Sequence, residues 1–253
     1  MRGMSFICHF LNTIITNSKE NLIAREFIKN LLNHHKMSDT LDIKHELGRK
    51  AIHLTSLVII FVFLYFGKEI VLSFLAFALV IILTVEYFRI EWGFVVPLLD
   101  RFFRLREREV FGGEVFFIIG AFIAISVFSP LVALAAILMT TFGDMAAALF
   151  GKAFGRHRIP KIGSKTYEGS LAEFCVNILI GFLVLIYLPQ YLAQLPNITT
   201  AAIIHPEIII LIMATTATFV ETAIRKIDDN LLIPIFTGSA AEFFIILFRW
   251  LGV

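Results

Sequence analysis

Seven apolar stretches, most of them near the length of a bilayer crossing, decide what this chain can fold into. They are Ala51–Phe66, Ile70–Phe88, Val115–Phe128, Leu131–Phe150, Ser170–Leu192, Ile204–Thr222 and Leu231–Leu251. A transmembrane helix needs about 20 predominantly apolar residues. The third stretch is short and either extends back to Gly113 or tilts. Ser129-Pro130 reads as a tight turn between the third and fourth. With 58% apolar and 17% charged residues, a soluble domain of this size has too little polar surface to cover itself. The expected fold is all-α: a polytopic transmembrane bundle of about seven spans.

The connecting segments alternate in basic charge. Lys44, Arg49 and Lys50 precede the first span, and Arg89, Arg101, Arg104, Arg106 and Arg108 follow the second. Lys152, Arg156, Arg158, Lys161 and Lys165 follow the fourth, and Arg225 and Lys226 follow the sixth. The opposite side carries Lys68, with Arg249 near the end of the last span. Cytoplasmic loops carry the Lys/Arg excess. This pattern predicts an integral membrane protein with its N-terminus in the cytoplasm and its C-terminus outside. A net charge of only +2 gives no case for nucleic-acid binding.

Residues 1–40 read as a separate arm, and residues 41–253 as the membrane-embedded domain. Met4–Ile15 is too brief to span. Glu20–Leu32 carries an apolar helical stripe suited to the bilayer interface. Cys8 and Cys175 are far apart and fit no metal or redox spacing.

Ionisable residues in spans are costly and mark functional sites by default. Nearly all of them fall at the predicted cytoplasmic ends: His53, Glu86, Asp144, Glu173, Glu221 and the run Asp228-Asp229-Asn230. Snorkelling or interface anchoring accounts for Glu86, Arg89 and Glu91. Asp144 is too deep for that and requires a partner or a water-filled cavity. Gly143, Ala147, Gly151 and Gly155 recur every four residues, a face that lets another backbone approach closely and that would serve a homodimer. The loop after the fourth span mixes glycines and cations with Lys165, Thr166 and Glu168, as phosphate binding asks, although a basic inner loop also follows from topology alone. Glu221, Arg225 and Asp228 share one face if the helix continues through them. Asp228-Asp229-Asn230 reads either as a set of oxygen ligands for Mg²⁺ or as a helix cap.

Taken together, these segments resemble the CTP-dependent lipid kinases: the dolichol kinase, phytol kinase and yeast-type diacylglycerol kinase family, related to the phosphatidate cytidylyltransferases. Arg49-Lys50-x-x-His53 is similar to the family's Arg-Lys-x-x-His start. Gly143-Asp144 with Ala147, Gly151 and Gly155 resembles its Gly-Asp-x-x-Ala-x-x-x-Gly-x-x-x-Gly segment. Lys165-Thr166-x-Glu168-Gly169-Ser170 resembles Lys-Thr-x-Glu-Gly-Ser, and Glu221, Asp228-Asp229-Asn230 and Pro234 resemble the closing pattern. The resemblance runs from about Glu46 to the C-terminus. A Pro-Gly-His-Gly-Gly run of the cytidylyltransferases is not visible.

The resemblance implies transfer of the γ-phosphoryl of CTP to the hydroxyl of a membrane lipid, an isoprenoid alcohol or a diacylglycerol-type lipid. Asp144 and Asp229 would hold Mg²⁺, with Glu168 or Asp228 helping. Lys165, Arg49 and Lys50 would neutralise phosphates. Gly143, Gly151, Gly155, Thr166 and Gly169 would complete the nucleotide site. His53 or Asp144 would accept the hydroxyl proton. Formation of a CDP-lipid by a cytidylyltransferase and membrane transport are the competing expectations. A transporter would gather its polar groups nearer the midplane.

Overall fold

The computed structural model describes residues 56–92, 111–160, 165–192, 203–224 and 227–252. The arm at 1–40, its boundary with the rest of the chain, and the predicted site residues Arg49, Lys50 and His53 lie outside these residues.

The described residues are helical almost throughout. The helices are α1 (Ser56–Phe66), α2 (Lys68–Trp92), α3 (Gly113–Val127), α4 (Pro130–Leu138), α5 (Asp144–Phe154), α6 (Tyr167–Phe182), α7 (Leu188–Leu192), α8 (Pro206–Ala223) and α9 (Asp229–Leu251). Two π-helical turns, Met139–Gly143 and Leu183–Tyr187, join α4 to α5 and α6 to α7. Among the described residues, five continuous helical stretches are long and apolar enough to cross a membrane: Lys68–Trp92, Pro130–Phe154, Tyr167–Tyr191, Pro206–Ala223 and Asp229–Leu251. Ser56–Phe66 and Gly113–Val127 are apolar but shorter. The chain thus has the helices of an integral membrane protein.

The helical stretch Pro130–Phe154, which contains the predicted fourth span Leu131–Phe150, is the most enclosed of the five. Val132, Ala133, Ala135, Ala136 and Met139 are wholly buried, and the span is mostly enclosed by the others. Small side chains suit that position, because neighbouring backbones then approach closely. Outward-facing positions elsewhere are large and apolar, among them Phe61, Phe77, Val80, Leu171, Phe219, Phe243 and Ile246. The predicted turn at Ser129-Pro130 is present. Ser129 is the N-cap and Pro130 opens α4, where its missing N–H costs nothing. The Ser129 amide donates to Glu242 Oε1 at 2.6 Å. Lys68 Nζ donates to the Ser126 carbonyl at 2.7 Å, so the α1–α2 and α3–α4 connections meet at the same end of the bundle.

The predicted continuous face Glu221–Arg225–Asp228 does not form. α8 ends at Ala223, and its C-cap Ile224 is extended, with φ −95° and ψ 132°. Arg225 lies outside the described residues, and Asp228 caps the start of α9.

Candidate active site

The site lies where four helix ends meet. Asp144 is the first residue of α5, directly after the π-helical turn that ends at Gly143. Glu221 is in the last turn of α8, and Asp229 is the first residue of α9. Each offers one carboxylate oxygen within 4.8 Å of the other two, and Asp144 and Glu221 are buried. Three carboxylates this close repel one another unless cations balance them. Lys165 supplies one such charge: its Nζ donates to both Glu221 Oε2 and the Glu221 carbonyl. Oxygen ligands of this kind fit a hard divalent cation such as Mg²⁺.

Asp228 stands beside the trio. Its Oδ1 accepts from the Asn230 amide at 3.0 Å, so it caps α9. Burial first, and then the charge of Asp229, push its carboxyl up to about 6. Glu221 therefore completes the cluster at the position where the sequence suggests Asp228. The sequence marks Glu221 as a residue at a span end; what it lacks is the sharp end of α8, which aims that carboxylate at Asp229.

The glycines lie where α5 crosses α6. A Cβ on Gly169 would come within 2.8 Å of the Ala147 carbonyl oxygen and 3.2 Å of Gly151 Cα. A Cβ on Gly151 or Gly155 would meet the Thr166 side chain, at 3.2 Å for Gly151. The small-residue face is thus covered by α6 of the same chain, which removes it as a dimer surface. Thr166 is the N-cap of α6, and its Oγ1 accepts from the Gly169 amide at 3.2 Å. Gly143 packs against the Asn177 side chain.

Glu168 is engaged in the basic loop rather than in the carboxylate trio. Its Oε1 lies 2.7 Å from His157 Nδ1, and it accepts from the His157 amide at 3.2 Å. The Ile159 amide donates to the Lys165 carbonyl and the Tyr167 amide to the His157 carbonyl, each at 3.0 Å. These bonds tie His157 and Ile159 to residues 165–168, and Lys165 reaches Glu221 from there.

Two buried polar residues belong to this region. Glu173 and Asn177 sit one turn apart on α6 and are 1% and 0% exposed. Glu173 lies within electrostatic reach of Asp144, Lys165 and Asp229. The sequence places Glu173 near a helix end but gives no sign of Asn177, although their spacing of four residues puts both on one helix face.

With this geometry in view, the comparisons with known proteins are specific. Residues 108–228 match the model of the cytidylyltransferase family. That stretch contains Asp144, Lys165 and Glu221 and ends at Asp228. Three fungal proteins match, each named CTP-dependent diacylglycerol kinase 1. The one from Saccharomyces cerevisiae is 30% identical over 156 residues, which cover 58% of this chain and 53% of its own length. The chain is similar in sequence to proteins named CTP-dependent diacylglycerol kinase. The Schizosaccharomyces pombe protein is 26% identical over 202 residues, covering 76% of this chain and 90% of its own length. The chain therefore spans about half the Saccharomyces relative and nearly all of the Schizosaccharomyces one. No solved structure gives a significant match.

Proposed function

We propose that this protein is a CTP-dependent kinase that phosphorylates the hydroxyl of a membrane lipid. The observation that carries the reading is the trio Asp144, Glu221 and Asp229 beside Lys165, at helix ends of a membrane bundle. Relatives named CTP-dependent diacylglycerol kinase support CTP as donor and a diacylglycerol-type lipid as acceptor. An isoprenoid alcohol presents the same hydroxyl on an apolar tail.

In this reaction the lipid hydroxyl oxygen attacks the γ-phosphorus of CTP. The bond from that phosphorus to the β-bridging oxygen breaks, CDP leaves, and the hydroxyl proton passes to a base. The products are a lipid phosphomonoester and CDP. Positioning and charge neutralisation supply most of the catalysis in such transfers. Asp144, Glu221 and Asp229 would hold Mg²⁺, with Asp228 adjacent. The ion would neutralise charge on the phosphate oxygens. Lys165, released from Glu221 when nucleotide enters, pairs with phosphate, and Arg49 and Lys50 add positive charge. Asp144 and His53 are the candidate proton acceptors. Glu168 holds the loop that carries Lys165. Gly143, Gly151, Gly155 and Gly169 let the backbones close around the site, and Thr166 fixes the start of α6.

We place the site on the cytoplasmic face of a seven-span bundle with a cytoplasmic N-terminus. The Lys/Arg distribution supports this. The two short apolar helices, α1 and α3, would supply the crossings beyond the five long ones.

The test is a lipid panel with purified protein, Mg²⁺, and CTP labelled at either the α or the γ phosphate, with ATP in parallel. γ-Label in a lipid product together with released CDP supports the kinase. The match to the cytidylyltransferase family favours one second reading, CDP-lipid formation, which would instead put α-label into lipid and release pyrophosphate.

A further inference from the structure

The buried pair on α6 has no use in the chemistry described so far. Among the described residues, both oxygens of Glu173, and both Oδ1 and Nδ2 of Asn177, lack a well-formed hydrogen bond, and the near neighbour of each is the other member of the pair. Leaving such groups unmet is costly, because each has given up its water without a replacement. Folded proteins rarely tolerate two together without a reason. The two side chains lie on one face of α6, and that face is turned inward. Leu171, Leu179 and Phe182 of the same helix point outward and are exposed.

Position and chemistry both limit what fills the gap. Asn177 packs against Gly143, the residue before Asp144. Glu173 feels the charges of Asp144, Lys165 and Asp229. The pair therefore lies next to the carboxylate trio, further along α6 into the apolar span. A phosphate fits poorly, because Asp144 and Asp229 already crowd negative charge beside the pair. The complementary ligand is neutral, donates one hydrogen bond to a carboxylate and accepts one from an amide N–H. An alcohol does both.

We propose that Glu173 and Asn177 form the subsite for the hydroxyl of the acceptor lipid. Glu173 accepts from the hydroxyl and Asn177 Nδ2 donates to its oxygen. The lipid tail extends into the bilayer, and the oxygen is presented to nucleotide held at the trio. This subsite rests on the kinase reading.

The experiment uses the full chain in mixed micelles and compares wild type with Glu173→Gln and Asn177→Leu. It measures KM for diacylglycerol and for an isoprenoid alcohol as surface mole fraction, KM for CTP, the Mg²⁺ dependence, and Tm without substrates. Losing one buried hydrogen bond predicts a rise of about tenfold in acceptor KM. KM for CTP and the Mg²⁺ dependence stay within about twofold, on the same grounds. Tm holds or rises, since an unmet polar group has been weakened or removed. A purely structural role predicts a lower Tm instead. An acceptor KM that does not move, or one that moves in step with CTP or Mg²⁺, overturns the subsite, as does loss of folded protein in both variants. If the wild type is active and the variants match it, the subsite fails alone. If the wild type phosphorylates no lipid on the panel, the kinase reading fails and the subsite falls with it.

Discussion

Lys165 and Glu221 are joined twice: the ammonium donates to the Glu221 carboxylate and to its backbone carbonyl. The residues are 56 apart in sequence, so one side chain ties the basic loop to the end of α8. The carbonyl is among the last of that helix, where the negative end of the helix dipole favours a cation. Lys165→Met leaves Glu221 buried beside two other carboxylates without its counter-charge. Because the Lys165 side chain is 28% exposed, the expected loss is about 1–3 kcal/mol, less than for a fully buried pair. The double variant Lys165→Met, Glu221→Gln recovers part of that loss. Chemical denaturation of the four proteins of the cycle measures it, and strictly additive losses would contradict the pairing.

Asp144→Asn tests the trio directly. The substitution keeps shape and removes one charge from three carboxylates that crowd within 4.8 Å. Without divalent cation the variant is at least as stable as wild type, because repulsion falls. Lipid phosphorylation drops by at least about 100-fold, more than is usual for residues outside the metal's direct ligands. Thermal scans with and without Mg²⁺ add a second readout: the wild type gains Tm with the ion and the variant does not. Near-normal turnover in Asp144→Asn would remove the residue from the chemistry.

The two glycines at the α5–α6 crossing differ in what they can tolerate. A methyl on Gly169 meets backbone, the Ala147 carbonyl at 2.8 Å and Gly151 Cα at 3.2 Å. A methyl on Gly151 meets the Thr166 hydroxyl at 3.2 Å and Gly169 Cα at 3.7 Å. Backbone cannot step aside as a side chain can, so Gly169→Ala forces the helices apart. It is expected to cost about 1–3 kcal/mol, the usual range for overpacking. Gly151→Ala disturbs the Thr166 cap and costs about 1 kcal/mol or less. Unfolding midpoints of the two single variants rank them, and equal losses would contradict the crossing geometry.

The helices were legible because a bilayer leaves the chain little choice. Backbone groups in hydrocarbon must be satisfied within each segment, so apolar length alone marks each helix. Every predicted span within the described residues overlaps a helix. The site was half legible. Asp144 and Asp229 stand out as carboxylates at span ends, and Lys165 by its cationic loop. Glu221 was visible but not its partnership with Asp229, which depends on α8 stopping at Ala223. Asn177 was invisible: an amide in an apolar run reads as a packing residue until its neighbours are known. The repeat Gly143, Ala147, Gly151 and Gly155 signalled close approach correctly but could not say to what. Only the fold shows that the partner backbone belongs to α6 of the same chain.

Glu86 provides the last test, because it separates an anchoring carboxylate from those of the site. It is 3% exposed and accepts from Arg89 Nε at 2.9 Å and Nη2 at 2.6 Å. Its Oε2 also accepts from the Gly112 amide at 3.0 Å. Gly112 is the N-cap of α3, which has no side-chain cap of its own. A carboxylate there meets a free helix N–H end and opposes its positive dipole. Glu86 therefore pins the start of α3 to α2, and its charge is fully used by Arg89 and Gly112. Glu86→Gln keeps a weaker acceptor but gives up the ion pair with Arg89, and Glu86→Ala loses both contacts. The expected losses are about 1–2 kcal/mol for Gln and about 3–5 kcal/mol for Ala. Because Glu86 is outside the trio, Glu86→Gln keeps KM for CTP and for the lipid within about twofold at temperatures where it stays folded, well below the effect of losing a direct contact. A selective rise in KM for CTP with no change in Tm would move Glu86 from anchor to nucleotide site.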